Sequence, residues 1–222
     1  MAELIVGLDA GTVRERVAEA RERIAQAARR AGRDPAAVEL LAAVKYVALE
    51  ELGTLADAGL TLLGENRAQE LAAKADAHPG AFTWDFIGHL QSRKVKDLVP
   101  RVRLIHSVAS ESVLAQLARH PAQRPDFGVL VEVNVAGEAS KSGIAPADLA
   151  AFVARAPVPV LGLMTMPPAV AHAEQSRAHF AALRELAAEH GLHHLSMGTS
   201  QDYEVAVEEG ASIVRLGSTL YR

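Results

Sequence analysis

The chain has 222 residues, half of them hydrophobic and 23% charged, with 23 Lys and Arg against 27 Asp and Glu for a formal net charge of -4. That composition excludes a disordered or low-complexity chain, and the acidic balance argues against a general electrostatic grip on nucleic acid. Cysteine is absent, which excludes disulfides, thiolate catalysis and Cys-ligated zinc or iron–sulfur sites. The N-terminus turns charged too soon for a signal peptide, and no stretch of about 18 uninterrupted apolar residues is present to span a membrane. The expectation is a cytoplasmic protein with neither nucleic acid nor membrane as partner.

In chain order, the first element is a helix over 12–30, where Val13, Val17, Ala20, Ile24, Ala27 and Ala28 recur at three- and four-residue steps. Gly32 and Pro35 stop it. Short apolar runs then read as strands at 38–44, 60–63, 83–87, 103–106, 127–133, 158–163, 194–197 and 212–216. Helical patterns lie between them at about 48–58, 66–77, 91–99, 110–119, 146–155, 170–190 and 200–209. Eight strands alternating with helices predict successive βα units and a parallel sheet buried on both faces. The fold class expected is α/β, a closed (β/α)8 TIM barrel with an additional N-terminal helix. Residues 1–222 are expected to form a single domain, with no room after the eighth strand for a second.

Ligands of such barrels gather at the C-terminal ends of the strands. The first strand leads to Lys45, on the same alternating face as Leu41 and Ala43. If that face is the interior, the amine sits among apolar neighbours, its pKa lowered by desolvation, as a nucleophile toward an aldehyde. A lysine snorkelling at a strand end is the plainer reading. After the seventh strand, Gly198, Thr199 and Ser200 offer backbone approach and hydroxyls to an anion, or else a helix N-cap. After the eighth, Gly217, Ser218 and Thr219 form a second small, hydroxyl-rich turn. A phosphate site built from these two loops is recurrent in such barrels.

Arg215 shares a face with Ile213 and needs a partner there, a barrel carboxylate or a ligand heteroatom. Glu65 and Asn66 follow strand 2 and His89 follows strand 3; Asn66 reads equally as a helix cap and His89 as a structural hydrogen-bonder. The cluster Arg93, Lys94, Lys96, Arg101 and Arg103 reads as a solvated helix face. His190, His193 and His194 lack zinc spacing. No glycine-rich nucleotide fingerprint or G-x-S-x-G elbow is present.

Taken in order, LLAAVK, GENRAQE, WDFIGHLQSRK, IHSV, VEVNVAGEASKSGI, GLMTM and LSMGTSQDYEVAVEEGASIVRLGSTLY resemble the signatures of the pyridoxal phosphate homeostasis proteins (the YggS/PROSC type). The barrel of that family is similar to the N-terminal domain of alanine racemase. The resemblance runs from about residue 12 to 221. It implies that Lys45 carries pyridoxal 5′-phosphate (PLP) as a covalent aldimine. It implies that Ser200 with the Gly198 and Thr199 backbone, and Gly217 with Ser218, hold the phosphate. Arg215 matches the arginine facing the pyridine nitrogen, and Asn66 and His89 match polar residues at the pocket rim. Val44, Tyr46 and Ala48 stand where the commoner pattern has serine, threonine and proline.

The resemblance implies PLP homeostasis without substantial turnover, with PLP-dependent apo-enzymes as candidate partners; a monomer is expected, with a dimer as the alternative. The alternative is a PLP-dependent amino-acid racemase. A two-base racemase needs an acid or base opposite the lysine. The tyrosines here are Tyr46, Tyr203 and Tyr221, and strand alternation turns Tyr46 away from Lys45. Arg215 can only donate, so the pyridine nitrogen is expected to stay unprotonated, which weakens the cofactor as an electron sink. A third reading is a sugar-phosphate enzyme with Lys45 as a Schiff-base lysine toward substrate.

Overall fold

A computed structural model describes residues 4–122, 124–138 and 142–221. Helix α1 spans Ala10–Arg30, starting two residues before its expected start because Asp9 caps it, accepting from Thr12 N at 2.7 Å and Thr12 Oγ1 at 2.8 Å. Its six periodic apolar residues are all buried. Gly32, at φ 67, ends it in the left-handed conformation that glycine tolerates.

The strands are β1 (Glu39–Ala43), β2 (Leu62–Glu65), β3 (Thr83–Phe86), β4 (Leu104–Val108), β5 (Gly128–Glu132), β6 (Val160–Met164), β7 (His194–Thr199) and β8 (Ile213–Leu216). All pair in parallel, each with its sequence neighbour, and β1 closes on β8 through Leu41 opposite Arg215. The closed (β/α)8 barrel is therefore as expected, with every strand end within two residues of its expected place. The helices between strands are shorter than their sequence patterns: α2 (Leu52–Asp57), α3 (Ala68–Ala77), α4 (Val95–Leu98), α5 (Glu111–Arg119), α6 (Leu149–Ala154), α7 (Arg177–Glu189) and α8 (Tyr203–Glu208). Four of the patterns begin in a tight 3-10 turn, at residues 49–51, 92–94, 146–148 and 173–176. A last short helix, α9 (Ser218–Tyr221), follows β8.

Burial divides the apolar residues into two bodies. The larger lies between sheet and helices and takes Ala42 and Val44 from the β1 segment. The smaller fills the barrel's interior with Leu41, Leu104, Leu130, Met164 and Ile213. The alternation expected for β1 and β8 therefore holds: Leu41 and Ile213 point inward. The interior is not wholly apolar. Asp85, His106, Ser196 and Arg215 are buried from β3, β4, β7 and β8; of these, the sequence marks Arg215 alone, the others lying unremarked inside apolar runs.

Among the described residues, no helix is long and apolar enough to cross a membrane. Arg103 does not belong to a solvated helix face: it turns into the barrel base, with bidentate contacts to Glu39 and Asp85. Arg101, by contrast, stays at the surface, paired there with Asp76.

Candidate functional site

A cavity of about 580 Å³ opens at the C-terminal ends of the strands, within the roughly 300–1,000 Å³ of small-molecule sites. It brings together Lys45, Asn66, His89, Thr199, Ser200, Arg215, Gly217 and Ser218. Gly198 stays outside. Its φ is +88, and a Cβ there would come within 2.5 Å of the Ala206 Cβ and 2.9 Å of the Tyr203 Cα. Glycine is required here for β7 to turn tightly into α8.

Lys45 lies two residues past β1, in a turn, and is exposed. The apolar seat expected for its amine is not what the structure has. Its Nζ stands 5.0 Å from the centroid of the Tyr46 ring, a cation–π distance. The turn is fixed from three sides. Val44 N donates to Gly64 O at 2.9 Å, Ile5 N donates to Tyr46 O at 2.7 Å, and Ala48 N donates to Ile5 O at 3.1 Å. Beneath it, the buried Lys74 of α3 donates to Val44 O at 2.7 Å and pairs with Glu65 at 2.6 Å.

Glu65, not Asn66, serves the start of α3: its Oε1 accepts from Asn66 N at 2.7 Å and Arg67 N at 3.3 Å. Asn66 is thereby left to the cavity, and its buried Oδ1 has no partner among the described residues. A buried acceptor without a donor is costly, so this atom favours a ligand that donates. Gly88 makes room here, since a Cβ on it would meet Asn66 O at 2.0 Å. His89 follows, exposed at the rim.

On the opposite side, Thr199 and Ser200 do not cap α8; Asp202 is its N-cap residue. The Thr199 N–H donates to Asp202 Oδ1 at 2.8 Å, so it is not free for an anion. Ser200 Oγ lies 3.4 Å from both Gly217 N and Thr219 N. Two backbone N–H groups and a hydroxyl thus converge where the loops after β7 and β8 meet. That convergence fits a phosphate, on a narrower donor set than the resemblance implied.

Arg215 is buried, and among the described residues no carboxylate pairs with it. Its Nη1 donates to Ser196 Oγ at 2.6 Å, and its Nη2 to Thr165 O at 3.0 Å and to the Met166 sulfur. Burial lowers its pKa to about 10, against the opposing charges of Asp202 and Glu132. It remains a cation at neutral pH.

The tyrosines depart from expectation. Tyr46 lines the cavity beside Lys45, because β1 ends at Ala43 and alternation does not extend into the turn. Tyr221 lines it too, folded back by α9. Its hydroxyl is buried with no partner among the described residues, and burial pushes its pKa well above the ordinary phenol value. Tyr203 packs beneath Gly198 instead. Sequence signals for Tyr46 and Tyr221 existed only as adjacency to Lys45 and to the Gly217 turn.

No family model matches the chain. It is 42% identical over 219 residues to the pyridoxal phosphate homeostasis protein of Aquifex aeolicus, covering 93% of this chain and 96% of that one. It is 41% identical over 218 residues to the protein of the same name from Pseudomonas aeruginosa, covering 95% of each. Among solved structures, PipY of Synechococcus elongatus without PLP superposes with a TM-score of 0.83 at 32% identity, over 95% of this chain and 100% of that one. PipY with PLP bound gives a TM-score of 0.77 at 29% identity over the same shares. Alanine racemase from Corynebacterium glutamicum gives 0.66 at 15% identity, over 99% of this chain and 64% of that one. This last likeness concerns the fold.

Proposed function

As the chain belongs to the family of pyridoxal phosphate homeostasis proteins, we propose that its cavity binds PLP and holds it for delivery rather than for turnover. The observation that carries this reading is the cavity itself. Among the described residues, one lysine, Lys45, lines a space bordered by Ser200, Gly217 and Thr219 on one side and by Arg215 on another. Bound there, PLP supplies an aldehyde that an amine can take up and a ring that draws electrons toward itself. Lys45 would provide the amine. Ser200 and Ser218, with the backbone N–H groups of Gly217 and Thr219, would hold the phosphate. Arg215 would donate to the ring nitrogen, and Asn66 and His89 would border the ring. PLP-dependent apo-enzymes are the proposed acceptors, and a monomer the proposed state.

Two features support storage over catalysis. Arg215 cannot accept a hydrogen bond from a protonated ring nitrogen, so that nitrogen would stay unprotonated and the ring a weak electron sink. The phenol of Tyr221 is held protonated by burial, which makes it a poor base at neutral pH. The racemase reading has one observation in its favour: Tyr46 and Tyr221 share the cavity with Lys45.

Reduction with borohydride in the presence of PLP, followed by peptide mapping, tests the assignment. The label is expected on Lys45, with loss of the visible absorption. A label on another lysine would contradict it. A colourless protein that takes up no PLP would favour the sugar-phosphate alternative.

A further inference from the structure

Arg215 is a buried cation with no carboxylate in hydrogen-bond contact among the described residues, and two neutral side chains link it to one further along the barrel. An arginine only donates, so Ser196 Oγ is the acceptor at 2.6 Å. The one hydroxyl proton of Ser196 then points to His106 Nδ1, 2.8 Å away. That nitrogen must be the unprotonated one, and the ring proton sits on Nε2, facing Asp85 Oδ2 at 3.2 Å. Asp85 also accepts from Arg103, at 3.1 and 2.8 Å, and from Leu104 N at 3.2 Å. Arg103 in turn meets Glu39 at 2.7 and 2.9 Å. Donation therefore runs in one direction from Arg215 to Asp85, and the four charges alternate in sign along the barrel: Arg215, Asp85, Arg103, Glu39.

Asp85, His106, Ser196 and Arg215 are buried and come from four different strands. Burial, together with the cations Arg215 and Arg103, keeps His106 neutral against the pull of Asp85. A doubly protonated ring would confront Ser196 with two donors and no acceptor. Of the five N–H groups on Arg215, three are engaged, leaving Nε–H and one Nη1–H with no partner among the described residues.

We infer that Ser196, His106 and Asp85 are positioning residues that hold Arg215 as a fixed donor toward the ring nitrogen of the ligand, and so set the preference of the cavity for a pyridine over a ring without nitrogen. The inference rests on the reading that PLP occupies the cavity with its ring nitrogen at Arg215. None of the three touches the ligand; they act through the orientation of the guanidinium. A fixed donor discriminates between two ligands of equal shape, whereas a mobile one can follow either.

The test is the ratio of dissociation constants for PLP and its 1-deaza analogue, in which C–H replaces the ring nitrogen. The unaltered protein is expected to prefer PLP by about tenfold or more, as one charge-assisted hydrogen bond provides. Ser196→Ala and His106→Leu should each reduce that preference at least about threefold. His106→Gln, which can accept from Ser196 and donate to Asp85, should restore it. A general loosening of the barrel would weaken both ligands alike and leave the ratio unchanged. If His106→Leu does not fold, Ser196→Ala, which removes a single oxygen atom, still decides. A preference that survives in Ser196→Ala would overturn the inference alone. Tight PLP binding with no preference in the unaltered protein would overturn the Arg215 reading and the inference with it.

Discussion

Lys74 and Glu65 form an ion pair of 2.6 Å with both side chains almost fully buried, directly beneath the turn that presents Lys45. Neither group stands alone: Lys74 also donates to Val44 O, and Glu65 accepts from the backbone of Asn66 and Arg67. One pair thus ties the end of β1 to the start of α3, the two places from which Lys45 and Asn66 enter the cavity. Lys74→Met leaves a carboxylate buried without its cation, a loss of about 3–5 kcal/mol. Chemical denaturation should show it, and a change below about 1 kcal/mol would mean that the pair is better solvated than its burial indicates.

Lys45 presents the opposite case. It is exposed, and its contact is the ring of Tyr46. Lys45→Ala should leave stability within about 0.5–1 kcal/mol of the unaltered protein, the cation–π contact being the main loss. PLP should nevertheless wash out on dialysis. Retention of PLP with its visible absorption would assign the amine to another residue.

The barrel's architecture was legible from the strand and helix alternation, and Lys45, Ser200, Arg215 and Gly217 were legible as strand-end residues. Asp85 and His106 were not, because a single polar residue within an apolar run carries no sign of a partner on another strand. Lys74 carried no signal either, since a lysine in a helical pattern does not show that a carboxylate from a neighbouring strand will meet it. Tyr46 was misjudged because pleat alternation stops where β1 stops, at Ala43. Gly198 read as a loop glycine, and the packing of α8 against it, which its left-handed φ serves, was not visible in the sequence.

Ser200 tests the phosphate assignment. Its hydroxyl is 3.4 Å from Gly217 N and Thr219 N, and a bond from such a group to a dianion contributes about 1.5–3 kcal/mol. Ser200→Ala should weaken PLP about ten- to a hundredfold, and pyridoxal, which lacks the phosphate, far less. Equal losses for both ligands, measured by equilibrium dialysis, would place the phosphate elsewhere.

Acid should destabilise the fold through the barrel's polar interior. His106 is held below its ordinary pKa, chiefly by burial. Burial opposes ionisation of Asp85, but the His106 hydrogen bond and the Arg103 contact prevail and hold its carboxyl low. Both groups take up protons more readily in the unfolded chain, so stability rises with pH. It is lost first as pH falls below about 6.5, the ordinary histidine value, and further below about 3.9, the ordinary aspartate value. Denaturation midpoints between about pH 8 and about pH 5 should fall for the unaltered protein and fall less for His106→Gln, which does not titrate. Identical slopes would show that His106 contributes nothing to the acid sensitivity.

The most direct test of storage without turnover is deuterium exchange at the α-carbon of a panel of amino acids, followed by NMR in D2O with PLP-saturated protein. Arg215 as an obligate donor and Tyr221 as a protonated phenol predict exchange no faster than with free PLP. Exchange at about 1 s⁻¹ or faster, the lower range of ordinary enzymes, would contradict the account and make the cavity that of a racemase-like enzyme.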